Sequence, residues 1–247
     1  SGQTLTPWGQ GNVTLGGSEK DVTVTFSNLN SNTVTGGVSL AGDITLKGTN
    51  AATKLSIFNG ASVNVNLNGK VSVETTGTGT AAILSGDSLQ ILGGLGGTGT
   101  LAVNTRNNAG ALTLGGDVSG FSGTLNLSGA NLYLNADTAL TGTLNAATAK
   151  VTALRKQNVT GTLNAASLAV EGNALSADGA ALTVSNLALG ADAGVSLDIN
   201  GNITAGTYTL VSWDNLTAGN FADAGTMTLT GTLASLYQGT FNVNTGD

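Results

Sequence analysis

Cysteine and histidine are both missing from the 247 residues of this chain. That excludes disulfide staples, thiolate chemistry and cysteine zinc sites, together with every acid-base or metal role of an imidazole. Aromatic residues make up 4% and charged residues 9%, so a core built on bulky rings is excluded as well. No run of 18 apolar residues occurs, hence no helix able to span a bilayer, and no direct membrane insertion of this segment is expected. Basic residues number only eight against 14 acids, giving a net charge of −6. Neutralising phosphates takes a basic stripe, which leaves nucleic acid outside the expected partners. The one basic cluster, Lys150, Arg155 and Lys156, reads as a solvated loop, with an anionic-ligand contact as the alternative. Ser1-Gly2-Gln3 has neither the charged nor the apolar region of a secretory signal, so any such signal is expected to have been removed from this chain.

Glycine is abundant instead, at 38 residues against a single proline, Pro7. A disordered glycine-rich chain lacks evenly spaced aliphatic pairs, and this one has them, so order is expected. The best of them recur between Gly99 and Val170: Gly99-Thr100-Leu101, Gly123-Thr124-Leu125-Asn126, Gly142-Thr143-Leu144-Asn145-Ala146-Ala147 and Gly161-Thr162-Leu163-Asn164-Ala165-Ala166. The last three copies are 19 residues apart and the first lies 24 before them, which marks one insertion. Short strand units at a period near 20 point to stacked coils, each burying its apolar face on its neighbours. Within a unit, Leu125 and Leu127 alternate with Asn126 and Ser128, while Gly115-Gly116, Gly120, Gly123, Gly129 and Gly142 supply corners. Kept in register, Asn126, Asn145 and Asn164 stack and their amides form a ladder. The plainer alternative is that the three simply face water.

Taken in order, the chain reads as a cap, a run of coils and a second cap. Residues 1–21 carry Pro7 and Trp8, a bulky pair suited to covering the open end of a stack. Alternation begins in Val22 to Phe26 and returns in Val38 to Leu40, Ile44 to Leu46, Leu55 to Ile57, Val63 to Leu67 and Val71 to Val73. The threonines and glycines of Thr75 to Thr80 read as a loop, after which Ile83 to Leu92 and Leu101 to Val103 resume the pattern. Alanine is frequent from Thr138 to Ala153 and from Ala165 to Ala188, yet neither segment keeps a helical stripe for three turns, so both are read as strand. Residues 22–205 thus form the stacked coils. The last segment, 206–247, holds Tyr208, Trp213, Phe221, Tyr237 and Phe241, half of all the aromatics. It reads as an aromatic-rich cap with strands at Thr207 to Trp213 and Met227 to Leu229; a sugar-stacking platform is the functional alternative.

The pattern bears on several chemistries. Gly94-Leu95-Gly96-Gly97-Thr98-Gly99 fits G-x-G-x-x-G, but a dinucleotide site needs a helix next and Thr100 to Val103 is strand-like. Calcium-binding nonapeptide repeats need an aspartate where Thr98 and Thr100 stand. Glycoside cleavage needs two carboxylates about 5 to 9.5 Å apart. Most acids, among them Asp43, Asp87, Asp117, Asp137, Asp178, Asp192, Asp198, Asp214 and Asp223, sit beside turn formers, and none forms D-x-D, although stacking can join remote ones. Thr23-Val24-Thr25, Thr33-Val34-Thr35 and Thr226-Met227-Thr228 suggest an ice- or crystal-binding face but do not recur at the coil period. No catalytic, cofactor-binding or metal-binding residue is assigned, no cofactor is expected, and ligand-binding residues stay undefined.

Residues Ala111 to Leu134 read ALTLGGDVSGFSGTLNLSGANLYL. Gly123-Thr124-Leu125-Asn126-Leu127-Ser128-Gly129-Ala130-Asn131 resembles the autotransporter-associated β-strand repeat, whose strand is followed by an Asn-Tyr-Thr-Gly turn. Leu132-Tyr133-Leu134 departs from it, because the Thr-Gly after the tyrosine is missing. Thr207 to Trp213 with Gly219-Asn220-Phe221 is similar to the closing segment of such passengers. The resemblance covers about a third of the chain. It implies an extracellular or cell-surface bacterial passenger folded as a right-handed parallel β-helix, with a downstream outer-membrane translocator or other anchor. In that family the aromatic end often helps the stack to start folding, and many members are adhesins or stalks.

The expectation is therefore an all-β protein, one right-handed parallel β-helix (β-solenoid) over residues 1–247 with about ten to twelve coils and terminal caps. Its expected role is a rigid stalk or adhesive display surface, not an enzyme, whose partner is a host or extracellular glycan or protein. A carbohydrate-active β-helix enzyme or a glycan-binding module is the alternative.

Overall fold

The computed structural model describes residues 13–15, 23–26, 38–48, 53–57, 64–75, 82–222 and 225–243. Trp8, Pro7, most of the 1–21 cap, Thr33 to Thr35 and the 76–80 loop lie outside the described residues. Within them the protein is all-β, and every strand pair is parallel except the short Gly225–Thr226 and Thr240–Phe241 pair.

One ladder passes through Thr23–Phe26, Thr53–Ile57, Ala82–Gly86, Thr100–Thr105, Thr124–Ser128, Thr143–Ala153, Gln157–Glu171, Leu182–Leu189 and Val211–Ala218. It holds nine strands among the described residues. A second ladder takes Val38–Leu40, Asn64–Leu67, Ser88–Ile91, Ala111–Gly116 and Asn131–Ala136, then continues through the later halves of Thr143–Ala153 and Gln157–Glu171 to Val195–Asp198 and Thr228–Thr230. A third, of four strands, joins Val13–Leu15, Ile44–Gly48, Val71–Thr75 and Leu95–Gly97. Most strands pair with one that is not their neighbour in the chain; the parallel exceptions are the steps from Asn131–Ala136 to Thr143–Ala153, from there to Gln157–Glu171, and on to Leu182–Leu189, where a long strand serves two ladders.

The alternation seen in the sequence becomes columns. Leu101, Leu125, Leu144, Leu163, Leu187 and Leu216 are partners in successive strands of the first ladder. Val65, Leu89, Leu112, Leu132, Val151, Leu168 and Val195 do the same in the second. All but Leu216 are buried, and most are wholly excluded from water. Each such leucine contributes about 1.5–3 kcal/mol by leaving solvent. The alanine-rich segments follow the same rule: Thr143–Ala153 and Gln157–Glu171 are strands, with Ala146, Ala153 and Ala165 pointing inward.

Glycine begins each repeat for a steric reason. A Cβ at Gly123 would lie 2.0 Å from the carbonyl oxygen of Gly99, and one at Gly161 2.0 Å from that of Gly142. The amide of the next residue uses the same oxygens: Thr124 N–H donates to Gly99 O at 3.1 Å and Thr162 N–H to Gly142 O at 3.2 Å. Backbone therefore rests on backbone at this corner, and no side chain fits between. The insertion between the first two repeats falls largely in the turn Arg106–Asn108, where Asn107 and Asn108 take positive φ.

The long strands stop where expected in some places and not in others. Lys150 belongs to the strand Thr143–Ala153, not to a loop, because the alternation of Ala149, Val151 and Ala153 carries the strand past it. Strand structure near the C-terminus starts at Val211 and not at Thr207; the carbonyls of Thr209 and Leu210 nonetheless accept Ala181 and Leu182 N–H.

Leu144→Ala should cost about 2–5 kcal/mol through the cavity it leaves between Leu125 and Leu163. Gly161→Ala should cost about 1–3 kcal/mol by forcing two backbones apart, whereas Gly194→Ala, whose Cβ meets nothing within 4 Å, should stay within about 0.5 kcal/mol. Urea unfolding of the three variants against the parent protein measures this ordering.

Candidate functional surface

The outward positions of the first ladder form a flat, polar array. Thr124, Thr143 and Thr162 stand in one column, with Asn126, Asn145 and Asn164 in the next but one. Asn145 Nδ2 donates to Asn126 Oδ1 at 3.1 Å, and Asn164 Nδ2 to Asn145 Oδ1 at 3.5 Å. The amide ladder is thus present, with its second rung at the limit of a hydrogen bond. Asn215 Nδ2 to Asn186 Oδ1, 3.3 Å, adds a separate rung in the threonine column. Each amide keeps one N–H and one lone pair for solvent or ligand. Rows repeat at about 4.8 Å and positions within a row at about 6.7 Å.

Charged groups concentrate at a corner. Asp43 accepts Lys70 N–H at 2.8 Å, and the Lys70 side chain crosses beside Gly96. Farther along, Asp117 Oδ1 accepts the Ser119 hydroxyl at 2.7 Å, the Ser119 N–H at 3.0 Å and the Thr138 hydroxyl at 2.8 Å. Those donors, the Ser119 hydroxyl first, with the positive charge of Lys70 behind them, hold the Asp117 carboxyl at about 2 against an ordinary 3.8. Next, Arg155 pairs with Asp137 and donates to Asn135 O at 2.7 Å, while Lys156 donates to Asp178 O at 2.7 Å. Two members of the basic cluster are therefore engaged by the neighbouring turns, and Lys150 is exposed on a strand.

Three further arrangements were not visible in the sequence. Asp87 is buried and paired with Arg106 from the inserted turn. Gln157, also buried, accepts Ala136 N–H and donates to Ala136 O, both at 3.1 Å, so its amide replaces a missing backbone rung. Parallel register sets Glu171 beside Asp198, the remote carboxylate pair that stacking allows. Burial first, and then the charge of Asp198, raises the Glu171 carboxyl above its ordinary 4.5, opposed by a hydrogen bond from Asn200.

The G-x-G-x-x-G segment runs into the strand Thr100–Thr105, as its apolar alternation implies. At the C-terminal end, the rings of Trp213 and Phe221 lie 4.7 Å apart. Tyr237 accepts Ile203 N–H at 3.2 Å through its hydroxyl and packs with Phe241, Leu233 and Leu229 on Val170, Leu197 and Ile199. Most of the late aromatics are therefore committed to packing, and only Tyr208 is tied to a loop, through Thr204 O at 2.8 Å.

No family model, no curated protein and no solved structure matches the chain.

Asp117 and Glu171 predict opposite responses to acid. The stability that the hydroxyl cage gives Asp117 is present above pH 3.8 and fades as pH falls toward about 2. For Glu171, whose folded value is raised, the contribution is full below pH 4.5 and is lost as pH rises through that raised value. Glu171→Gln should therefore stabilise the protein at neutral pH but not at pH 4, and Asp117→Asn should destabilise it at neutral pH while flattening the acid limb. Thermal unfolding between pH 2 and 8 tests both signs. Asn145→Ala, which removes two exposed amide bonds, should cost less than about 1.5 kcal/mol in the same assay.

Proposed function

We propose that this chain is an extracellular passenger segment of a bacterial secreted or surface protein, a right-handed parallel β-solenoid with caps at residues 1–21 and 206–247. It acts as a rigid stalk that presents an adhesive surface. The observation that carries the reading is the continuous parallel ladder of nine strands, six of which set leucine over leucine from Leu101 to Leu216. At one strand spacing per layer such a ladder is about 40 Å long. Each layer contacts only its neighbours, so stiffness follows from repetition without disulfides or a wide core. The resemblance at Ala111 to Leu134 supplies the bacterial surface context. Consistent with it, Ala111–Gly116 and Asn131–Ala136 stack directly, so that stretch spans one full repeat.

The threonine and asparagine flank is the adhesive face of this reading. Hydroxyls and half-satisfied amides at a fixed two-dimensional spacing suit the hydroxyl-rich surface of an extracellular glycan, or the backbone of a host protein. Deleting Gly142 to Thr160 joins Thr141 to Gly161 in register, and the shortened protein should fold with its longest dimension reduced by about 5 Å, one layer. Small-angle scattering reads that change; a collapse of the fold or an unaltered length contradicts the solenoid. Glycan and matrix-protein arrays, probed with the parent protein and with Asn145→Ala, Asn164→Ala, separate adhesin from spacer. Binding that the double variant loses identifies the face, and no binding on any array leaves the stalk role alone. Labelling of intact source cells by an antibody to the folded chain checks the surface location.

A second reading rests on Glu171 and Asp198. Paired strands set the two backbones about 5 Å apart, a spacing that lets the carboxyls reach the separation of retaining glycosidases, and the raised pKa of Glu171 suits a general acid. Release of reducing ends from a polysaccharide panel, abolished in Glu171→Gln, establishes this reading; no release by the parent protein removes it.

A further inference from the structure

Among the described residues, the leucine column ends at Leu216. Leu187 is fully buried beneath Leu216, which is itself 37% exposed, and Asp214 to Asn220 are all exposed. Among the described residues, the strand Val211–Ala218 pairs only with Leu182–Leu189, so its outer edge of N–H and C=O groups has no strand partner. Edges of this kind are ordinarily blunted by lysine, proline or inward charge. Val-Ser-Trp-Asp-Asn-Leu-Thr-Ala contains neither lysine nor proline, and its one irregularity, the extra residue Thr217 between the partners of Leu187 and Ala188, comes only after Leu216.

We propose that this edge is a two-fold interface, occupied by the same strand of a second copy of the chain running antiparallel. The sequence of the edge is self-complementary about the point between Asp214 and Asn215. A two-fold axis there sets Trp213 opposite Leu216 of the other copy, twice, and Asp214 opposite Asn215 of the other copy, twice. Residues directly opposite one another share a face. Val184, the partner of Trp213, and Leu187, the partner of Leu216, are both buried, which identifies Trp213 and Leu216 as the core-facing pair. Ser185 and Asn186 of the layer beneath are half-exposed, which puts Asp214 and Asn215 at the solvent corner. The antiparallel pairing therefore joins core to core and corner to corner. It also gives each Asp214 carboxylate an amide donor from the other copy and sets Ser212 opposite Thr217. The contact is isologous and closes at two copies, so it yields a dimer and no filament. Main-chain hydrogen bonds supply the affinity, as in other strand-addition interfaces, and Trp213 and Leu216 supply the register.

Light scattering coupled to size exclusion tests the stoichiometry. The parent protein should elute with twice the 24.2 kDa chain mass, and Leu216→Lys should elute as a monomer with an unchanged far-ultraviolet circular dichroism spectrum. Because the chain has no cysteine, register can be read by introducing single ones. A mixture of Ser212→Cys and Thr217→Cys proteins should form a disulfide-linked pair under mild oxidation, since opposite Cα atoms in an antiparallel pair are about 4.5–5.5 Å apart. Ser212→Cys alone should not, its two copies being five residues or about 17 Å apart along the strands. A monomeric parent protein, a dimer indifferent to Leu216→Lys, a series of open-ended oligomers, or cross-linking of Ser212→Cys alone as efficient as the mixture would each overturn the proposal.

Discussion

The rest of the structure depends on the closeness with which one layer's backbone lies on the next at the glycine corner. Gly99, Gly123, Gly142 and Gly161 stack so closely that the position of a missing Cβ coincides, within 2.0–2.5 Å, with the carbonyl oxygen below. Two consequences follow from that contact. The amide of the following threonine reaches the same carbonyl, so the ladder begins at once on leaving the corner. The leucine after the threonine is then fixed over the leucine beneath, because strand side chains alternate and a one-residue slip would expose the whole column. Glycine here is a register pin more than a source of flexibility, and it explains why the repeat opens on the smallest residue and not on the asparagine or aspartate that turns also accept.

A stack of identical layers has an electrostatic constraint that the composition obeys. A charged residue repeated at one outward position would face its own copy about 4.8 Å away in every layer, with nothing between. Neutral threonine and asparagine avoid this, and asparagine turns the short repeat into a head-to-tail amide chain, as Asn126, Asn145 and Asn164 show. Charges are instead placed where the opposite sign, or a cage of hydroxyls, lies one layer away: Lys47 meets Glu74 at 2.9 Å, Arg155 meets Asp137, and Asp117 is enclosed by Ser119 and Thr138. The exception is Glu171 against Asp198, where two acids share one row and burial, with the charge of Asp198 added to it, makes the carboxyl of Glu171 hold its proton more tightly. The low charge content thus follows from the architecture.

How much of this was legible follows from the range of each interaction. The strands, the inward leucines and the asparagine column depend on alternation and on a repeat of fixed length, both local properties, and they could be read from Gly123 to Ala166 directly. The alanine-rich segments were legible too, since a missing helical stripe is a local fact. What could not be read is pairing across unequal spacings. Gln157 bonds Ala136, Asp87 meets Arg106, and Glu171 meets Asp198 only because of where intervening turns place them. A signal for Gln157 does exist, a polar residue at an inward position just after a turn, but it becomes visible only once the register is known. Lys150 was misplaced into a loop for a related reason: the inward positions around it are alanine and valine, and alanine signals a strand weakly.

The unequal spacings show how such a stack tolerates change. Between the 19-residue layers and the longer ones the inward columns do not differ; the additional residues form the Arg106–Asn108 turn, the Gly172–Ala181 segment and the Asn200–Leu210 segment, all between ladders. Lengthening a loop costs only about 0.6 kcal/mol for each doubling of its length, whereas an inserted residue within a strand would turn a buried leucine outward. Variation is therefore confined to the corners, and the inserted segments are where each layer is free to differ from its neighbours. Arg106 shows what this freedom permits, because a residue that the regular repeat has no place for reaches back from an inserted turn to neutralise the buried Asp87. The flat flanks must repeat; the corners need not. A surface that recognises a periodic ligand belongs on the first, and one that distinguishes a single partner belongs on the second.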